Sequence, residues 1–315
     1  MIANRSISRR SLLKFGVATA AASSLPWFGS EGDLYAAPEQ FKLNYICSSA
    51  LYGTMKLAEI LPEVRKGGAD TIDLWPKPHG SQHEEVVAMG AERFAEMLAE
   101  HKVGLGGIAC YKFGAYKLKD QMKLAKALGG KDVALVCTGK GPRDAKAEEL
   151  KKGVAAFVEQ LKPHHDEALK HRCIIAIENH SNNMINSPDS LKWFAEMTAE
   201  MPGLGIAFAP HHLPQDAEMQ AKLIEALGPA INFFYAQQHG KGSKRKLPKE
   251  EELLQMPGRG ELDFGPILKA LASINYTGRT EIFMHPVPRG VPILDTAEAI
   301  TKEINRSRKY LEGLL

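Results

Sequence analysis

The chain reads as a single (β/α)8 barrel of α/β class. Three observations predict it. After Pro38, short apolar runs alternate with amphipathic stretches of helical period to the last residue. The apolar runs are apolar on both faces, as strands of a helix-covered parallel sheet must be. Eight such units fill about 275 residues, which suits a closed barrel. An open doubly wound sheet would want a glycine-rich phosphate loop after its first strand. Cys47-Ser-Ser-Ala-Leu-Tyr-Gly53 is not one.

In order, the pattern predicts a strand over 42–49 and a helix over 56–66, then a strand over 71–75 and a helix over 84–101. A strand over 103–111 precedes a helix over 117–128, and a strand over 132–138 precedes a long helical region over 144–171. The strand over 173–179 is followed by a helix over 188–200, and the strand over 204–209 by a helix over 216–227. The strand over 231–237 leads to a helix over 264–274, and the strand over 280–284 to the closing helix over 296–314. Breakers fall at the helix ends: Gly67-Gly68, Gly129-Gly130, Pro202-Gly203, Gly228-Pro229 and Gly278. No low-complexity linker splits the chain, so residues 39–315 form one domain.

Residues 1–38 read as a targeting segment and linker. Ser8-Arg9-Arg10-Ser11-Leu12-Leu13-Lys14 precedes an uncharged stretch over 15–30, too short and too softened by small residues for a membrane span. The paired arginines resemble a bacterial twin-arginine signal, which implies export of a folded protein by the twin-arginine translocation machinery to the periplasm. Tyr35-Ala36-Ala37 is a poor cleavage site, so retention of the segment as a membrane anchor stays open.

A composition of 44% hydrophobic and 24% charged residues is that of a soluble globular domain. A net charge of +3 gives no reason to expect a nucleic-acid partner. The basic run Lys241-Gly-Ser-Lys-Arg-Lys246 reads as a solvated loop, with capture of an anionic substrate as the alternative. Cys47, Cys110, Cys137 and Cys173 sit in apolar runs without C-x-x-C spacing and read as buried free thiols. Oligomeric state is left open, a homo-oligomer included.

In a barrel, chemistry sits at the C-terminal ends of the strands. Those ends here are rich in ionisable groups: Trp75-Pro-Lys77-Pro-His79, Tyr111-Lys112, Glu178-Asn179-His180, Ala209-Pro-His211-His212, Gln237-Gln238-His239, and Glu281 with His285. Glu178 and Glu281 lie in apolar strand contexts, where a carboxylate must be paired, protonated or bound to metal. A structural alternative pairs them with Lys112 or Arg279. The functional expectation has both facing one cavity as acid/base groups, with histidines completing a site for Mn, Mg, Zn or a similar divalent ion. Of the adjacent His211 and His212, one faces the pocket, and His212 is favoured. Lys77, His79, Lys112, His180 and His285 are substrate-binding candidates, and Trp75 offers an aromatic wall or a packing residue. His164, His165 and His171 belong to a helix and its end and read as surface or capping residues.

Four segments then carry a resemblance: Ile72-Asp-Leu-Trp-Pro76, Ile177-Glu-Asn-His180, Gly258-Arg-Gly-Glu-Leu-Asp-Phe264 and Asn275-Tyr-Thr-Gly-Arg-Thr-Glu281. They resemble the xylose-isomerase-like (sugar phosphate isomerase/epimerase) barrels over roughly residues 41–315. That resemblance implies a small carbohydrate substrate and isomerase or epimerase chemistry, with a keto-glycoside lyase or a non-catalytic, metal-free sugar-binding barrel as alternatives. A DNA-repair endonuclease of the same superfamily would need more ligands and a basic face. The family's metal set implies Glu178 and Glu281 as ligands, with His212 and His239 supplying the rest. Its strand-six aspartate is Ala209 here, and Gln237 competes with His239 for the strand-seven position.

Overall fold

The computed structural model describes residues 41–142, 144–239 and 244–315. The targeting segment over 1–38 and part of the basic run at 241–246 lie outside them. Eight parallel strands close into a barrel in sequential order: β1 (Asn44–Cys47), β2 (Thr71–Leu74), β3 (Gly104–Ala109), β4 (Val133–Thr138), β5 (Cys173–Glu178), β6 (Leu204–Phe208), β7 (Ile231–Ala236) and β8 (Arg279–Ile282). Closure is the pairing of β1 with β8, Asn44 opposite Arg279 and Ile46 opposite Glu281. Every residue of β4 and β6 is buried, because lumen and helix layer cover both faces.

The helices between strands are α1 (Leu57–Val64), α2 (Gln82–Met89), α3 (Ala91–Glu100), α4 (Lys119–Ala127), α5 (Ala147–His171), α6 (Pro188–Met197) and α7 (Ala217–Leu227). They continue as the short α8 (Lys249–Glu252), then α9 (Phe264–Ser273) and α10 (Ala297–Glu312). The expected single helix over 84–101 is two, α2 and α3, broken at Gly90, whose φ of 86° no helix accepts. The one-turn α8 lies between β7 and α9, where the sequence pattern predicts no element. His165 is buried, not on the surface: its Nε2 meets Pro202 O at 2.8 Å and ties α5 to the approach of β6. All four cysteines are free and buried. Among the described residues, no helix is long and apolar enough to cross a membrane.

Two connections at the mouth are fixed by backbone capture. Gln238 accepts from Leu262 N (2.8 Å) and donates to Met256 O (2.7 Å), while Asp263 caps α9 by accepting from Gly265 N. The segment over 258–264 therefore stiffens the β7–α9 connection. Across the barrel seam, Gly53 (φ 58°) lies against the β8–α10 loop, and a Cβ there would meet Gly290 O at 2.5 Å. Only glycine allows that close approach.

Candidate active site

Glu178 ends β5, points into the mouth and is 4% exposed. The next residue, Asn179, is fully buried and bridges to β6: its Oδ1 accepts from Ala209 N at 2.7 Å and its Nδ2 donates to Ala209 O at 3.0 Å. This clamp brings the β5 end, with Glu178 and His180, beside the 3-10 turn Pro210–His212. One ligand atom from each of Glu178, His180 and His212 lies within 4.8 Å of the others. His212 Nε2 stands 3.5 Å from Glu178 Oε1, too far for a good hydrogen bond, and is otherwise buried without a partner. The rings of His180 and His212 are 4.2 Å apart, and those of His211 and His212 are 3.7 Å apart.

Burial acts to raise the Glu178 carboxyl, but His212, His180 and Tyr111 outweigh it and hold the group below the ordinary carboxylate range. His180 is pushed down by burial and by His212, against the pull of Glu178. Burial first, then Arg289, brings His79 down to about 4. The same two causes, with neighbouring imidazoles, take His285 well below the usual histidine range. These imidazoles are neutral at pH 7.

Trp75, 2% exposed, forms the aromatic wall: it stacks on Phe283 at 5.0 Å and 11°, and on Tyr111 at 5.4 Å and 26°. These rings, with Glu178, His180 and His285, line a cavity of about 340 Å³. His79 lines it as well, against Trp75 and His285.

Three expected residues stand elsewhere, and a fourth, His239, lines only the neighbouring chamber. Glu281 is buried but does not line the cavity; Phe283, two residues on and on the same strand face, occupies the mouth level. Glu281 lies one layer down the lumen beside Asp73, which accepts from Ser49 N at 2.7 Å. Burial and then Asp73 push the Glu281 carboxyl well up, and burial raises Asp73 to about 7. Burial and Asp73 thus both favour the protonated form of Glu281, which lies outside the cavity lining and outside the Glu178–His180–His212 group. His239 is exposed, gives its backbone N–H to Gln215 and lines a neighbouring chamber with His211 and His212, outside the Glu178–His180–His212 group. Lys112 is exposed and pairs with Glu84 at 3.1 Å, because Tyr111 takes the inward direction at that strand end. Lys77 is exposed, its backbone N–H given to Glu84. The structural pairings fail too: Arg279 binds Asp70 (2.9 Å), leaving neither strand carboxylate with a lysine or arginine partner among the described residues.

Sequence reasoning gave no role to Asp73, Phe283 or Arg289, named Tyr111 only as a strand end, and assigned His180 to substrate and not to a group with Glu178 and His212. Asp73 carried a usable signal, a carboxylate in the apolar run Ile-Asp-Leu. Tyr111 and Tyr235 meet hydroxyl to hydroxyl at 3.0 Å, and both feel Glu178 and Glu281.

Polar side chains and an aromatic wall meet at the C-terminal mouth of a closed α/β barrel, the end where barrels of this class carry their sites. The family model described as xylose isomerase-like TIM barrel matches residues 61–310, and the chain belongs to that family. Among solved structures it is similar to an IolI protein with a bound zinc atom, at 18% identity and TM-score 0.66, covering 86% of this chain and 99% of that one. It is also similar to a D-psicose 3-epimerase in the presence of D-fructose (15%, TM-score 0.64, 87% and 99% covered). An L-ribulose 3-epimerase matches at 16% identity and TM-score 0.60, with 87% and 96% covered. No curated protein matches the sequence.

Proposed function

We propose that the protein is an exported isomerase or epimerase of a sugar or keto-sugar, assisted by a divalent metal held by Glu178, His180 and His212. One observation carries this reading: a carboxylate and two imidazoles share a 4.8 Å neighbourhood at the rim of an aromatic-walled cavity. The donor set fits a divalent ion, since His212 Nε2 is buried with no other partner. When bound, such an ion supplies positive charge that polarises a substrate carbonyl. Trp75 and Phe283 would pack against the apolar face of a sugar ring and exclude water. Neutral His285, its Nδ1 buried without a partner, would accept or return a proton at the ring edge. Glu281, outside the cavity lining, has no direct part in this reading. Export rests on the twin-arginine-like segment at residues 8–14.

A metal-free sugar-binding barrel is the second reading, favoured by the single carboxylate at the mouth where paired acid/base groups were expected. Metal analysis and calorimetry decide between them. Protein folded in its own host should carry a stoichiometric divalent ion, and Glu178→Gln and His212→Ala should each weaken binding by about 100-fold or more. Glu281→Gln should leave it unchanged. Deuterium uptake from D2O into a panel of keto-sugars then reads proton transfer directly. Protein that takes up no ion under any loading, and exchanges no deuterium, would make it a binder.

A further inference from the structure

A second chamber of about 440 Å³ adjoins the first, sharing His180, Asn182 and His285. Its lining differs: the first chamber holds both a lysine, Lys140, and a carboxylate. The first is walled by aromatic rings and Glu178. The second has Arg289 and Lys244 in its lining, with His211 and His212, and no aspartate or glutamate among the described residues. Arg289 is half-buried, and its Nη1 donates to Pro286 O at 2.6 Å, which fixes where the guanidinium stands on the β8–α10 loop. Two of the lining residues carry buried imidazole nitrogens without a hydrogen-bond partner: Nδ1 and Nε2 of His211, and Nδ1 of His285. Buried polar atoms are rarely left so unless a ligand or water completes them.

We propose that this second chamber is an anion subsite, and that the carbohydrate carries a carboxylate or phosphate substituent seated against Arg289 and Lys244. The proposal rests on the carbohydrate reading above and narrows its substrate class. A ring stacked on Trp75 extends its substituent past His285, the residue common to both chambers. A neutral hydroxymethyl group there would gain little from a guanidinium. An anion gains a charge-assisted hydrogen bond in a partly desolvated site. Arg289 lies close enough to depress both His79 and His285, so its charge is felt in both chambers.

The test is calorimetric titration of the metal-loaded full chain with a neutral hexose, the matching uronate and the matching hexose phosphate, repeated for Arg289→Met, Lys244→Met and the double variant. At least one anionic sugar should bind about ten- to a hundredfold more tightly than the neutral one. That preference should collapse in the double variant while neutral-sugar affinity stays put. Whichever anion keeps the larger preference identifies carboxylate or phosphate. Equal affinities in the wild type, or a preference that survives the double variant, would overturn the subsite. Acetate and inorganic phosphate, titrated alone, separate the two claims. Arg289-dependent binding of either, with no sugar bound, keeps the subsite and removes the carbohydrate reading. Sugar binding with no Arg289-dependent anion binding does the reverse.

Discussion

Replacing Asp73 by Asn should change how stability depends on pH and leave the metal site alone. Asp73 is 3% exposed, accepts from Ser49 N, and lies beside Glu281 in the lumen. Its carboxyl is raised from 3.8 to about 7, with burial the main cause. In the unfolded chain it ionises near its ordinary value, so between about pH 4 and 7 unfolding releases a proton that the folded state holds. The contribution is fully present below pH 4 and is lost as pH rises through 7. At about 1.4 kcal/mol per pH unit the whole window is worth at most about 4 kcal/mol. Asparagine keeps the acceptor for Ser49 and carries no charge at any pH. Asp73 and Glu281 lose protons as a pair, and the amide relieves both in the same direction. The advantage of Asp73→Asn over wild type should therefore widen by about 2 kcal/mol between pH 5.5 and 8. Urea melts followed by circular dichroism at the two pH values measure it, and the histidines, present in both proteins, cancel in the difference. Parallel stabilities at both pH values would refute the deep protonated pair, and a loss of metal affinity in the variant would refute its separation from the mouth.

Acid should destabilise the fold through the neutral imidazoles. His79, held down to about 4, keeps off a proton that the unfolded chain takes up below 6.5, so stability falls as pH drops from 6.5 to 4. His79→Gln should recover about 2 kcal/mol at pH 5 relative to pH 7, read from melts at the two values, and an unchanged slope would contradict the burial argument. Asn179→Ala should unfold the clamp between β5 and β6, leaving Ala209 N and O unpaired in the interior at about 1–3 kcal/mol each. It should weaken metal binding along with stability, as calorimetry would show; full metal affinity would mean that Glu178 and His212 are positioned without it.

The barrel was legible because a period of 2 and a period of 3.6 alternate cleanly, and each period follows from which face must be buried. Gly90 was the exception: a glycine inside a helical pattern says nothing of its φ until neighbouring helices take their places. At the site, Glu178 was legible as a carboxylate in an apolar strand. Glu281 satisfied the same rule yet lies a layer lower, because strand position gives the face of a residue but not its depth. Depth depends on the register of β8 against β1 and β7, where Glu281 sits opposite Ile46 and Tyr235. Lys112 failed for the complementary reason, since one residue reverses direction and Tyr111 took the lumen. His180 and His212 are far apart in sequence, and the Asn179 clamp that joins them leaves no trace in either segment alone.

The displaced carboxylate also bears on what the mouth can accept. With the Glu281 carboxyl pushed well up and Asp73 raised to about 7, burial acts against negative charge in the deep layer. At the rim, Glu178 is the single carboxylate lining either chamber among the described residues. A divalent ion on Glu178, His180 and His212 would over-neutralise it, and Arg289 and Lys244 lie just beyond. A donor set with two imidazoles also favours borderline ions such as zinc over magnesium, which prefers oxygen ligands. A mouth with surplus positive charge and one fixed anion is poorly matched to a neutral sugar and well matched to one bearing an acidic group. On the anion-subsite proposal, the net charge of the ligand, more than the stereochemistry of its hydroxyls, is the property this cavity sorts.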